Sequence, residues 1–399
     1  MSRDGIIKAT FGELLNSREE RLPNDGTHPL YSLTIKDGVT PKTERYEREF
    51  LVTNKESKKY KVIRTGDLVF NPSNLRWGAI ATSLIQFPVL ASPIYEVFYP
   101  KDDQVLDPYF LGALASSPIL MAKYLALVEG TLVERTALKK DDFLEIEIEI
   151  PPLPEQKKIA EILSGIDRCI TKLKRRIQKQ NLINESILSG MEDLRGNKIA
   201  RHEATIGDIA TKVGSGITPR GGSDTYESEG VTFIRSQNVL KMRLSLGDAV
   251  KIPQHIHASM SGTRVQPNDV LLNITGASIG RSAVVPDGTG EANVNQHVCI
   301  IRTKEICDPL FLCGWLNSES GQIAINSSQA GGNRQGLNFE QIRAMSIPLP
   351  PIHLQKQVSV ALQASNSLVQ LLQGKLDWLL SIRKALSSDL LSGRKRVSV

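Results

Sequence analysis

The feature that most limits how this chain can fold is an internal repeat. IEIPPLPEQKK at residues 148–158 returns as IPLPPIHLQKQ at 347–357, with an isoleucine, the Pro-Pro pair, a glutamine and a lysine in register. Upstream, VIRTGDLVFN (62–71) aligns with RVQPNDVLLN (264–273), and a glycine, Gly78 or Gly280, follows each at the same distance. DPYFL (107–111) then matches DPLFL (308–312). A chain of 399 residues suits two domains with connecting elements, and the repeat gives both halves one plan: a mixed domain, a Pro-rich hinge, a long helix. The expected fold is α+β, with tandem mixed α/β domains at 1–150 and 195–349 related by an internal pseudo-twofold repeat. Hinge-helix segments follow at 151–194 and 350–399.

Within the domains, β-branched and apolar clusters between turn residues predict strands at 61–63, 68–70, 95–98 and 231–234. Asp107 and Asp308 are placed to cap helices whose first position is proline. After each hinge the period becomes helical. Ile159, Leu163, Ile166, Ile170, Leu173 and Ile177 alternate four- and three-residue steps, interrupted at Gln180 and Asn184. Val358, Leu362, Val369, Leu372, Leu376, Leu379, Leu386 and Leu390 do the same, with Ser365 and Arg383 on the seam. One seam per helix is most simply buried by pairing the two as an antiparallel coiled coil. Gly190 and Gly393 close matching Leu-Ser-Gly tripeptides and read as helix stops. The tripeptides lie four residues further apart than the hinges, so the second helix is expected to carry about one extra turn, near 6 Å at 1.5 Å per residue.

Function classes can then be excluded. The net charge of +6 and a pI of about 9.0 favour a polyanionic partner. The start of the chain lacks the apolar run of a secretory signal, and no window approaches a membrane span. Four cysteines without a CxxC pair suit a reducing cytoplasm rather than a disulfide scaffold. No Walker A and no GxGxxG after a strand occur, and Asn71-Pro72-Ser73 lacks the second proline and the aromatic of an amino-methyltransferase. His202-Glu203 has no second histidine four residues on; His255 and His257 alternate like strand neighbours on the surface, with no further ligand nearby. Glu145, Glu147 and Glu149 alternate with isoleucines as in a half-buried strand. Neither a catalytic nor a metal site is expected.

The order mixed domain, IPPLPEQKKIAEIL, heptad helix, mixed domain, IPLPPIHLQKQV, heptad helix closely resembles type I restriction-modification specificity subunits, over essentially the whole chain. GDLVFN with NDVLLN, GASIGRS (276–282) and GNRQGL (332–337) add to the likeness. The resemblance implies that each mixed domain is a target-recognition domain reading one half of a split, asymmetric duplex DNA site. The helices would set the spacer and dock two methylation subunits. Those partners would carry S-adenosylmethionine and methylate adenine, and restriction subunits using ATP and Mg could join, all in a prokaryotic cytoplasm at the nucleoid. The chain itself would be non-catalytic and hold no cofactor. The first domain departs from the pattern, with NPSNLRWG (71–78) replacing the small-residue loop of the second.

DNA readers place Arg, Lys, Asn and Gln at base edges and phosphates. In the first domain Asn74 and Arg76 are the base-reading candidates, with Lys58, Lys59 and Arg64 on phosphates. In the second the candidates are Arg220, Arg235, Gln237, Asn238, Arg281, Asn333 and Arg334. A protein-binding scaffold and a diverged methyltransferase-restriction fusion stay open as alternatives.

Overall fold

The computed structural model describes residues 5–42, 59–128, 137–196, 203–219, 221–329 and 336–398, with the backbone alone for 191–196. The chain divides into two compact units, residues 1–172 with 376–399, and residues 173–375.

The first unit holds a four-stranded antiparallel sheet in the order Leu15–Ser17, Glu96–Pro100, Leu68–Phe70, Ile80–Thr82. The second unit builds the same order from Ala210–Ser215, Val298–Thr303, Val270–Asn273 and Ser282–Val284. Each unit also pairs a strand near its start with the strand before its hinge: Ile7–Thr10 with Glu147–Ile150, and Glu203–Thr205 with Ser346–Pro348. Each first strand runs into a one-turn helix closed by a capping box, Thr10 with Glu13 or Thr205 with Asp208. The repeat read from the sequence is thus a repeat of topology, and the fold is α+β. The three-stranded sheets differ: Arg21–Pro23, Lys59–Ile63 and Val89–Ala91 are antiparallel, whereas Val231–Ile234 lies parallel to Ala292–Val294.

Apolar faces of these sheets make the cores. In the first unit Phe11 stacks on Phe143 with centroids 4.5 Å apart, and Phe70 and Phe98 close the cluster. In the second, the matching positions are aliphatic, Ile206, Leu272, Ile301 and Ile342, and Trp315, Phe311, Cys299 and Cys313 share the same core. Burial pushes the thiols of Cys299, Cys307 and Cys313 up to about 12, so these cysteines act as small apolar side chains.

Two buried polar devices recur. The GD and ND carboxylates, Asp67 and Asp269, each accept two hydrogen bonds from one guanidinium: Arg18 at 2.6 and 2.9 Å, Arg302 at 2.7 and 2.8 Å. The arginines come from different places in the two sheets: Arg18 follows the strand Leu15–Ser17, whereas Arg302 lies within Val298–Thr303. The hinge glutamines are closer still to identity. Gln156 Oε1 accepts from the Asp107 amide while its Nε2 donates to the carbonyls of Val105 and Pro151. Gln355 makes the same three bonds to Asp308, Ile306 and Pro350. Asp107 and Asp308 cap their helices as expected, each accepting two backbone amides. One side chain therefore ties the start of the long helix to the cap of the Asp-Pro helix.

The long helices span Leu153–Gly196 and Ile352–Leu391. In the first unit their segments run antiparallel: Arg383 pairs with Asp167, and Arg396 with Glu155 one end further on, where those hydrogen bonds hold the Glu155 carboxyl below its ordinary value. In the second unit the polar interruptions of the seam meet each other, Gln180 Nε2 donating to Ser365 Oγ and Asn184 Nδ2 to Asn366 Oδ1. Polar residues matched across a seam specify its register.

Three expectations need correction. Gly190 does not stop the first helix, which continues to Gly196 because MEDLRG favours helix and one interior glycine costs only about 1 kcal/mol. The first helix, of 44 residues against 40, is therefore the longer. His255 and His257 lie on the helix Gln254–Ser259, not a strand, and His257 is buried against Asn293 rather than on the surface. Glu147 and Glu149 do face outward from a half-buried strand, while Glu145 ends the preceding helix.

Candidate nucleic-acid interface

In the second unit four strands end at one rim of the sheets: 210–215, 231–234, 270–273 and 292–294. Backbone hydrogen bonds lace the loops that leave them. Gly216 donates to Asn295, Asn295 to Ile234, and Ile274 to His297. Gly216 permits this closeness, since a methyl group there would lie 1.6 Å from the Val294 carbonyl oxygen. The rim displays Arg235, Gln237 and Arg281 beside Thr218, Thr275, Gln296 and His297. Thr218 bonds Gln296, Thr275 bonds His297, and Gln296 touches the other nitrogen of that ring. Arg235 lies with its guanidinium 5.4 Å from the Tyr226 ring, and its buried Nε has no partner.

Asn238 has a different place from the one expected. It is fully buried, accepting from the Arg235 amide and donating to the Ser245 carbonyl and Asp248, so it shapes the loop that presents Arg235 and Gln237. Asn273, which the sequence did not single out, does similar work, bonding the carbonyls of Ser236 and Val239. Arg220, Asn333 and Arg334 lie outside the described residues.

The corresponding rim of the first unit carries the loop after Leu68–Phe70. Asn71 Oδ1 accepts the Ser73 amide, the Asn74 carbonyl accepts those of Trp77 and Ala79, and Gly78 takes the left-handed conformation (φ 92°) that closes the turn. Leu75 is buried beneath; Asn74 and Trp77 are exposed and Arg76 is half-buried. Lys59, at the start of its strand, and the hairpin tip with Ile35 and Lys36 reach the same rim. Arg64 does not, because it follows the opposite end of Lys59–Ile63, where Glu20 engages its guanidinium. Lys58 lies outside the described residues. Trp77, Lys36, Gln296 and His297 were missed; the last two sit in a polar turn between apolar strands, a signal that could have found them. Among the described residues no group of His, Cys, Asp and Glu could hold a metal ion, and no single helix is long and apolar enough to cross a membrane.

Two rims of the same topological origin, polar and basic, fit a duplicated recognition module. Residues 12–182 and 202–380 each match the family described as the type I restriction modification DNA specificity domain. The chain belongs to this type I DNA specificity family. Among curated relatives, the MjaX specificity subunit of Methanocaldococcus jannaschii is 23% identical over 315 residues, 73% of this chain and 69% of that protein. The EcoBI specificity subunit of Escherichia coli is 28% identical over 188 residues, 41% and 39% of the two chains. The crystal structure of the type I restriction-modification S subunit from M. genitalium covers 98% of this chain and 97% of its own at TM-score 0.67 and 15% identity, a likeness of fold. Specificity subunits are non-catalytic, and the two rims belong to tandem specificity domains.

Proposed function

We propose that each domain of this specificity subunit reads one half of a bipartite, asymmetric duplex DNA site, and that the paired helices set the spacer between the halves. The observation that carries the reading is the pair of rims, where rigid loops from equivalent strand ends bring arginines and amides together. Arg76, Asn74 and Lys59 serve the first half-site. Arg235, Gln237 and Arg281 serve the second, with Asn238 holding their loop; Arg220, Asn333 and Arg334 complete it. Arg64, at the opposite end of its strand and engaged by Glu20, is left out of the footprint. Two methylation subunits, one per hinge-helix copy, bring S-adenosylmethionine to adenine. Any restriction subunit that joins the assembly brings ATP and Mg, in a prokaryotic cytoplasm at the nucleoid.

Phosphate contacts release counterions, so affinity should fall linearly with log salt. Chain and methylation subunits together should bind a duplex library with that dependence, and Arg281→Ala or Arg76→Ala should each flatten the slope by about one unit if the side chain sits on phosphate, or lower site preference by about 1–3 kcal/mol if it reads a base. Absence of salt-dependent affinity for every duplex would leave a protein scaffold as the answer. Native mass spectrometry of the saturated assembly should give two methylation subunits per chain; a one-to-one complex that accepts no more would refute the pairing of one hinge-helix with one subunit.

A further inference from the structure

The two rims differ in one respect that hydrogen-bond readout does not explain. The chain has three tryptophans, and Trp77 stands 62% exposed at the tip of the loop in the first domain. Ile35, 58% exposed, lies beside the same turn; a methyl group on Gly78, the residue after Trp77, would touch the Ile35 side chain at 3.7 Å. The counterpart loop of the second domain, GASIGRS, carries no aromatic residue.

Trp77 is not loosely held. Its amide is bonded to Asn74, the neighbouring Leu75 is buried, and the loop base is tied by the Leu138 amide to the Pro72 carbonyl. The Arg76 guanidinium lies 5.1 Å from the Trp77 ring centroid, and its buried Nε has no hydrogen-bond partner. A preorganised, exposed aromatic with a cation at its face, and an aliphatic side chain beside it, fits an apolar wedge entering a base step, with the cation drawn to the backbone. Wedges of this kind unstack and kink a duplex, and the cost depends on the step, lowest at flexible pyrimidine–purine steps.

We infer that Trp77 is a specificity-determining residue that inserts at a base step of the first half-site, so that this half is read largely by deformability and the second by hydrogen bonds. The inference rests on the proposed DNA-reading function. The test uses the full chain with its methylation subunits and duplexes carrying 2-aminopurine at successive positions of the first half-site. The target adenine is left out, because methyltransferases flip that base themselves. Wild type should raise the probe fluorescence severalfold at one step. Trp77→Ala should abolish that rise and weaken specific binding about tenfold or more, as loss of one base–aromatic contact does, while non-specific binding holds; Trp77→Phe should retain much of both. Unchanged fluorescence and affinity in Trp77→Ala would overturn the wedge. So would weaker binding of the methylation subunits to Trp77→Ala than to wild type without DNA, which would make a protein its occupant. If the wild-type complex binds no duplex the proposed function fails with it, whereas duplex binding that weakens in Arg281→Ala but not in Trp77→Ala removes the wedge alone.

Discussion

Alanine at Gln355 is expected to destabilise the second repeat by about 3 kcal/mol or more, and Gln156→Ala to do the same to the first. Each side chain is fully buried and satisfies three backbone groups. Removing it strands one amide and two carbonyls, and an unsatisfied buried polar group costs about 1–3 kcal/mol. The sum stays below three full penalties because water can enter the space the side chain leaves. Urea unfolding of each variant gives the global loss. Hydrogen exchange at the Asp107 or Asp308 amide gives the local one, and should rise sharply in the matching repeat and not in the other. A loss below about 1 kcal/mol with that amide still protected would show that the staple contributes little. Glutamate in place of either glutamine should be no better than alanine, since it removes both donors and buries a charge.

Exchange of the first domain for that of a relative with another specificity should replace one half-site of the methylated motif and leave the second half-site and the spacer as they were. The join belongs after Ile150 so that Glu147–Ile150 travels with Ile7–Thr10, its partner strand. The incoming domain must also accept Ile159, Leu163 and Leu390, helix residues that share the first core. Each wrong base costs about 1–3 kcal/mol, so a new half-site of a few bases means a loss on the order of a thousandfold or more at the old one. Sequencing the methylated motif of the hybrid decides it. A change in both half-sites would refute independent reading, and a change in spacer would take that role away from the helices.

Much of this architecture was legible because duplication prints itself as sequence. The hinge, the Asp-Pro caps and the GD/ND turns each fix a local backbone arrangement, so finding them twice predicted one plan for both halves, which the structure extends to two sheets of the same strand order. The seam was legible for the same reason, down to Gln180 and Ser365, whose polarity proved to be mutual. Helix ends were less so: a glycine marks a stop only where the backbone turns left-handed, as at Gly393 but not Gly190. The rim was the hardest part. Residue type alone could not separate Asn238, whose amide is consumed inside the fold, from Gln237, which is exposed one position earlier. Nor could it reveal that Arg64 follows the wrong end of its strand, because which end of a sheet a loop occupies depends on strand pairing between distant segments.

The paired carboxylates bear on how new specificities can arise by recombination. Asp67 and Asp269 occupy the same place in the two repeats, yet Arg18 precedes its carboxylate in the chain and Arg302 follows. A crossover at the hinge moves each carboxylate together with its own arginine. A crossover between the repeats that falls just upstream of the shared GD/ND turn does not. One product would hold two arginines at one acid, and its reciprocal an acid with none, a stranded buried charge costing about 3–5 kcal/mol. Recombinants within a domain should therefore survive unequally, and whole-domain exchange is the route that leaves no charge unmatched.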